Sequence, residues 1–86
     1  MKITRTARFK KAWGGLTEEE KNLARKALEN LAADLRYPAL RVKKMQGVEH
    51  IWEARASRSL RMTFEIEGDT IVLRNIGRHD ETLKRP

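Results

Sequence analysis

The segment from Ile71 to Pro86, IVLRNIGRHDETLKRP, places one of the two histidines of this chain directly after an apolar run. His79 stands there between Arg78 and Asp80, and an imidazole can give or take a proton near neutral pH. Cleavage of RNA without a metal ion needs a base for the 2′-hydroxyl, an acid for the leaving 5′ oxygen, and cations that stabilise charge on the phosphate. Histidine and arginine supply such groups, so His79 is a candidate for proton transfer. The simpler alternative is a surface histidine at the start of a helix.

The second half of the chain carries cations that would serve such a site. Arg61 lies in LRMTFEI, whose apolar and polar residues alternate, so a strand there would turn Arg61 away from the core. The planar fork of an arginine suits bidentate contact with phosphate. We expect several cations to converge on one concave side of the sheet, although each alone is also typical of a solvated surface. Besides Arg61 and Arg78, these cations are Lys43, Lys44, Arg55, Arg58 and Arg74.

Length and composition indicate one small folded domain with a positive surface. The chain has 86 residues, which we interpret as a single domain over residues 1–86. Nineteen lysines and arginines against twelve acidic residues give a net charge of +7. That charge favours a polyanionic partner, and composition does not choose among nucleic acid, an anionic membrane surface and an acidic protein.

Several other kinds of site are excluded or disfavoured. The chain has no cysteine, which rules out a disulfide framework, a thiol nucleophile and a zinc–thiolate centre. The spacing of histidines and carboxylates does not make a metal site, and there is no glycine-rich phosphate loop or serine elbow, so we expect neither metal nor cofactor. The N-terminus lacks a signal-peptide pattern, and no apolar run could cross a bilayer. We therefore expect a cytoplasmic protein that does not engage a membrane.

The first half of the chain predicts a strand and two helices. A short strand is expected over Lys2–Thr6 and a short helix over Ala7–Trp13, ended by two glycines. Thr17 then supplies an N-cap with Glu20 three residues later, which is the pattern of a capping box. Alanines and leucines follow at helical spacing, and Pro38 is expected to stop this long helix.

The second half predicts strands. Residues 40–47, LRVKKMQG, indicate a short extended or loop segment, and three strands follow in IWEARA, LRMTFEI and TIVLRNI. ASRS is expected to join the first two strands and EGD the last two. The order β-α-α-β-β-β predicts an α+β fold in which a mainly antiparallel sheet packs one face against two N-terminal helices. Arg61 and Thr63 should then lie on the other face.

The order of these elements and several local patterns resemble the RelE/ParE superfamily of bacterial toxins from type II toxin–antitoxin modules. The resemblance covers nearly the whole chain: ITRTARFKKAW, the long charged helix, LRVKKMQG with IWEARAS, LRMTFEIEGDTIVL, and the closing IGRHDETL. The last pattern is a strand followed by glycine, a variable residue, histidine and an acidic or polar residue. It is most similar to the YafQ-like and HigB-like branches.

The resemblance implies a ribosome-dependent mRNA endonuclease that enters the ribosomal A site, cuts the message and stops translation. It also implies a cognate antitoxin that covers the catalytic face, with operator DNA bound only through that antitoxin. By position, His79 matches the catalytic histidine of the YafQ-like branch, and Arg61 lies near the arginine that contacts the scissile phosphate. Lys43 and Lys44 occupy the segment of a catalytic lysine or histidine. Leu83 stands where relatives often stack an aromatic ring on a base.

The candidates for contact with RNA form a larger set. They are Arg41, Arg55, Arg58, Arg74, Arg78 and Leu83. Two other functions stay open from the sequence. One is a ParE-like inhibitor of DNA gyrase, which shares the fold but usually lacks the catalytic histidine. The other is a catalytically silent relative that only binds its antitoxin, which the missing aromatic ring after His79 would suit.

Overall fold

A computed structural model of the chain describes residues 1–86 and contains five strands and three α-helices. In chain order the elements are β1 (Lys2–Arg5), α1 (Ala7–Gly14), α2 (Glu18–Ala33), β2 (Lys43–Lys44), β3 (Trp52–Arg55), β4 (Leu60–Glu67), β5 (Thr70–Arg78) and α3 (His79–Lys84). A 3₁₀ turn over Pro38–Leu40 lies between α2 and β2. None of the helices combines the length and apolarity that crossing a membrane requires.

The five strands form one mixed sheet in the order β1-β5-β4-β3-β2. β1 runs parallel to β5, and the other three pairings are antiparallel. The predicted α+β class with a mainly antiparallel sheet is therefore confirmed. β4 and β5 are joined by the predicted glycine turn, in which Gly68 has a φ of +61° that a residue without a Cβ adopts at no steric cost.

Helix α2 begins as predicted and ends earlier than expected. The Thr17 hydroxyl accepts a hydrogen bond from the Glu20 amide at 3.1 Å, and the Glu20 carboxylate accepts one from the Thr17 amide at 2.8 Å. The helix ends at Ala33, before the proline that the sequence suggests as its stop. The carboxylate of Asp34 accepts a hydrogen bond from the Arg36 amide at 2.9 Å, and such a local bond competes with continuation of the helix.

The core lies between one face of the sheet and the helices α1 and α2. Alternating residues of β4 and β5 face these helices and are fully buried, among them Met62, Phe64, Ile71 and Leu73. The helical side of the core is an aromatic ring from α1 and the predicted apolar stripe of α2: Phe9, Ala24, Ala27, Leu28 and Leu31. The opposite face of the sheet is called the outer face below.

A bulge in β5 determines which of its residues reach the outer face. Phe64 pairs with Leu73 and Thr63 pairs with Asn75, so Arg74 is the extra residue of the bulge. After the bulge, Ile76 rejoins the core side and is 3% exposed. Asn75 and the glycine that follows Ile76 lie on the outer face for the same reason.

The C-terminal helix covers part of the outer face, a feature that the predicted order of elements did not include. Thr82 of α3 is buried, and a Cβ at Gly77 would lie only 2.8 Å from its Oγ1. Helix α3 can therefore approach β5 this closely because position 77 is glycine. The carbonyl of Pro86 accepts hydrogen bonds from Thr63 at 2.9 Å and from Arg74 at 3.2 Å. Thr63 thus lies on the outer face as expected, but the C-terminal residues bury it.

Candidate functional site

Two neighbouring rows of paired residues on the outer face of the sheet contain several of the predicted site residues of the strands. Residues that pair directly in antiparallel strands have side chains on the same face. The first row is Lys43, Glu53, Thr63 and Asn75. The second row is Arg55, Arg61 and Gly77. Two arginines are therefore adjacent at the end of the sheet where β4 begins and β5 ends.

Arg55 and Arg61 both bind the turn that joins β3 to β4. Arg61 Nη1 donates hydrogen bonds to the carbonyls of Ser57 at 3.0 Å and Leu60 at 2.9 Å, and Arg55 Nε donates to the same Ser57 carbonyl at 3.4 Å. Nε and Nη2 of Arg61 make no hydrogen bond within the protein, and no buried side-chain nitrogen lacks a partner. Both donors are therefore accessible to solvent and available to an anion.

The positive charges around Arg61 repel one another. Partial burial, and then the neighbouring guanidinium of Arg55, lower the pKa of Arg61. Arg41 adds to this lowering, whereas the carboxylate of Glu53 opposes it. The cluster of Arg41, Arg55 and Arg61 thus holds excess positive charge in a partly desolvated position, where a phosphate group would relieve the repulsion.

His79 lies at the same end of the sheet. Its backbone amide donates a hydrogen bond to the Ser59 carbonyl at 3.1 Å, which extends the β4–β5 pairing into α3. The side chain of His79 is 53% exposed, and its Nδ1 lies 3.1 Å from a carboxylate oxygen of Asp80. The contact with Asp80 engages Nδ1, and Nε2 makes no hydrogen bond within the protein. The residue also starts a surface helix, as the simpler alternative expected.

The two candidate lysines separate, because consecutive residues of a strand point to opposite faces. Lys43 belongs to the first row on the outer face, and its Nζ lies 3.8 Å from a carboxylate oxygen of Glu53. Lys44 pairs with Trp52 on the side of the core, and its Nζ lies 5.5 Å from the centroid of that ring. Of the two lysines, only Lys43 shares a face with Arg61.

Two other candidate arginines have their own partners. Arg74 Nη1 lies 2.8 Å from a carboxylate oxygen of Glu65, and its Nε is engaged by the C-terminal carbonyl described above. Arg78 pairs with Leu60 and so lies on the core side of the sheet, opposite Arg61. The pKa of Glu20 is lowered mainly by the hydrogen bond from the Thr17 amide, and the positive charge of Arg78 contributes weakly. Arg78 thus lies near the carboxylate of Glu20. The expected convergence on one side therefore includes Arg55 and Arg61 but not Arg78.

A groove of about 540 Å³ adjoins the cluster, between α2, the 3₁₀ turn and the β3–β4 turn. Arg41, Arg55 and Arg58 line it together with Tyr37, the only tyrosine of the chain. Tyr37 is 44% exposed. Leu83, by contrast, is half-buried in α3. No group of three or more histidines and carboxylates is placed to hold a metal ion.

Neither a family model nor a curated protein matches the sequence. The structure is similar to the YoeB/ParE toxin from Agrobacterium tumefaciens, with a TM-score of 0.76 and 13% identity over 92% of this chain and 99% of that one. YafQ from Escherichia coli gives a TM-score of 0.75 with 14% identity, over 93% of this chain and 94% of that one. The intact E. coli RelBE toxin–antitoxin complex contains a chain with a TM-score of 0.71 and 16% identity, over 92% of this chain and 96% of that one. The protein therefore has the fold of the RelE/ParE-like toxins, as the sequence patterns suggested.

Proposed function

We propose that this protein is the toxin of a type II toxin–antitoxin module and that it cleaves mRNA in the ribosomal A site. The observation that carries the proposal is the common location of His79 and Arg61. Arg61 pairs with Gly77, and the Ser59 carbonyl accepts a hydrogen bond from the His79 amide. A histidine and an arginine with free donors therefore lie at one end of the same hairpin. The similarity of the whole fold to solved toxins supports the proposal.

The proposed reaction uses the substrate's own 2′-hydroxyl as nucleophile. Its oxygen loses a proton and attacks the adjacent phosphorus, while the bond from phosphorus to the 5′ oxygen of the next nucleotide breaks. The products are a 2′,3′-cyclic phosphate and a free 5′-hydroxyl. His79 transfers a proton at the reacting oxygens, and Arg61 stabilises the charge that develops on the phosphate. Lys43, on the same face, is the candidate for the second proton-transfer group.

The ribosome is proposed to complete this site. The outer face is open around Arg55 and Arg61, so the protein alone fixes a single-stranded message only weakly. Holding the 2′-oxygen in line with the leaving oxygen accounts for a large part of such a rate enhancement. Ribosomal groups that orient the message in the A site would supply that contribution.

A cognate antitoxin is the second proposed partner. The solved RelBE structure is a toxin–antitoxin complex, and the same kind of assembly is proposed for this chain. An acidic segment of the antitoxin would neutralise the cluster of Arg41, Arg55 and Arg61, and complementary charge of this kind speeds association. Operator DNA would be reached through the antitoxin.

Inducible expression in a bacterial host tests the proposal. We expect growth arrest with cut mRNA, and His79→Ala should abolish both effects. His50→Asn is the matched control: this other histidine has a φ of +63° that asparagine tolerates, and its side chain is 84% exposed. The control should remain toxic. Growth arrest with intact mRNA would reject the nuclease.

The alternatives make different predictions in the same experiment. Inhibition of DNA gyrase, the ParE-like alternative, would induce a DNA-damage response while the message stays intact. A catalytically silent relative that only binds its antitoxin would leave growth unaffected.

A further inference from the structure

We propose that the groove between α2 and the β3–β4 turn binds a nucleobase of single-stranded RNA, stacked on Tyr37, beside the linkage held at Arg61. This inference rests on the proposed function for the position of that linkage. It adds a second subsite centred on Tyr37, a residue to which the resemblance to known toxins gives no role.

The charge of the groove favours a polyanion. Lys26, Arg41, Arg55 and Arg58 line it, and none of its lining residues is acidic. The other large cavity of the protein, of about 790 Å³ between α1 and α3, contains Glu20 among its acidic residues. Of these two cavities, only the groove beside Arg61 has a lining without an acidic residue, and such a lining attracts a polyanion.

The groove also presents an aromatic surface. The amide of Tyr37 donates a hydrogen bond to the Asp34 carbonyl at 3.1 Å, and its carbonyl accepts one from the Leu40 amide at 3.0 Å. The backbone of Tyr37 is thus fixed while its ring is accessible. An exposed ring bordered by cations is the arrangement with which proteins bind single-stranded nucleic acid, because every base can stack on it.

The groove and the Arg61 cluster are continuous. Arg55 lines the groove, and its Nε shares the Ser57 carbonyl with Nη1 of Arg61. A phosphate at Arg61 and a base on Tyr37 would therefore be served by neighbouring guanidinium groups. Arg41 borders the same groove with a φ of +48°, a left-handed conformation that is uncommon for a residue other than glycine.

An acidic peptide with apolar side chains is the other occupant that a basic groove accepts. Leu23 lines the groove and is 45% exposed, so one apolar contact is available to it. The exposed tyrosine in a groove lined by arginines, together with the continuity with Arg61, favours RNA instead.

Binding of short oligonucleotides tests the inference without the ribosome. The probe is a fluorescein-labelled 2′-O-methyl hexanucleotide, which cannot be cleaved because its 2′-oxygens are blocked, and fluorescence anisotropy reports its affinity. Tyr37→Leu should weaken binding by about fivefold or more, since removal of a stacking ring has at least that effect. Tyr37→Phe keeps the ring and should bind within about twofold of the wild type.

An abasic version of the same oligonucleotide separates stacking from phosphate contact. Wild type and Tyr37→Leu should bind the abasic probe equally, because it has nothing to stack. Arg58→Gln should reduce the steepness of a plot of the logarithm of the binding constant against the logarithm of the salt concentration by about one unit of slope. Arg5→Gln removes the same charge from β1, at the far edge of the sheet, and should leave the slope unchanged.

Three results would overturn the inference. The first is unchanged affinity of Tyr37→Leu for the base-containing probe, and the second is an equal loss of affinity for both probes. The third is tighter binding of a leucine-containing polyglutamate peptide to the wild type than to Tyr37→Leu, which would assign the groove to a protein partner. If Tyr37→Leu binds RNA with unchanged affinity and still cleaves the message, base binding in the groove is refuted and the proposed function stands. If a base stacks on Tyr37 but the protein never cuts mRNA, the proposed function is refuted and base binding in the groove stands.

Discussion

Substitution of Arg41 by glycine should maintain or raise the stability of the protein while weakening its binding to RNA. Its backbone angles of φ 48° and ψ 46° lie in the left-handed region, which destabilises an L-residue by about 1 kcal/mol or more. Arg41→Gly removes this strain, while the greater freedom of glycine in the unfolded chain offsets about 0.4–1 kcal/mol of the gain. The substitution also removes one of the charges that repel Arg61. We therefore expect the free energy of unfolding to stay constant or to rise by up to about 1 kcal/mol.

Arg41→Ala is the matched variant, because it loses the same guanidinium but keeps the strained backbone. It should be less stable than Arg41→Gly by about 1 kcal/mol. Urea unfolding measures this difference directly, and for a domain of this size it corresponds to a shift of about 4–8 °C in the melting temperature.

Binding of the hexanucleotide should fall equally in the two variants, since both lack the guanidinium at the groove. A glycine variant no more stable than the alanine variant would show that the backbone at Arg41 is unstrained. A glycine variant with full RNA affinity would show that Arg41 takes no part in binding.

Three further predictions concern the elements that position the site. Gly77→Ala would place a Cβ 2.8 Å from Thr82 Oγ1 and should destabilise the protein by about 1–3 kcal/mol, measured by urea unfolding; an unchanged midpoint would contradict the close packing of α3. Thr17→Ala should lower stability by about 1 kcal/mol through loss of the helix cap, whereas Thr17→Ser keeps the hydroxyl and should not. Because the pKa of Glu20 is lowered in the folded protein, its stabilising contribution is present above its ordinary pKa and is lost as the pH falls through the folded value. The difference in stability between wild type and Glu20→Gln should therefore shrink in acid, and a difference that does not change with pH would refute this assignment.

The local signals in the sequence predicted most of the fold. The capping box at Thr17 and Glu20 sets the start of α2 through hydrogen bonds within four residues, so its pattern is visible in the local sequence. The alternation in LRMTFEI likewise fixes which side chains of β4 face the core, and Leu60, Met62 and Phe64 are fully buried as predicted. Patterns of this kind are informative because one short segment contains the whole interaction.

Features that depend on distant contacts were missed. The buried residues of β5 are Ile71, Leu73 and Ile76, and this change from a spacing of two to three is a sign of the bulge at Arg74 that the sequence does contain. The burial of Thr63 has no such sign, since it depends on a carbonyl 23 positions away in sequence.

The sequence predicted which types of residue form the candidate site better than it predicted how these residues are arranged. Arg55 and Arg61 are adjacent as expected, because each lies at a regular position of its strand. Arg78 and Lys44 lie on the other face, which follows from the two-residue period of a strand once the register is known. Tyr37 was not among the candidates predicted from the sequence, because its place beside the arginines depends on the packing of the 3₁₀ turn against the β3–β4 turn.

The most direct test of the central claim uses purified protein, ribosomes and a defined message with a codon in the A site. We predict cleavage that leaves a 2′,3′-cyclic phosphate and a 5′-hydroxyl, and that is lost both in His79→Ala and when a single 2′-deoxynucleotide precedes the scissile bond. Cleavage that continues past the 2′-deoxynucleotide, or that proceeds at the wild-type rate in His79→Ala, would contradict the account.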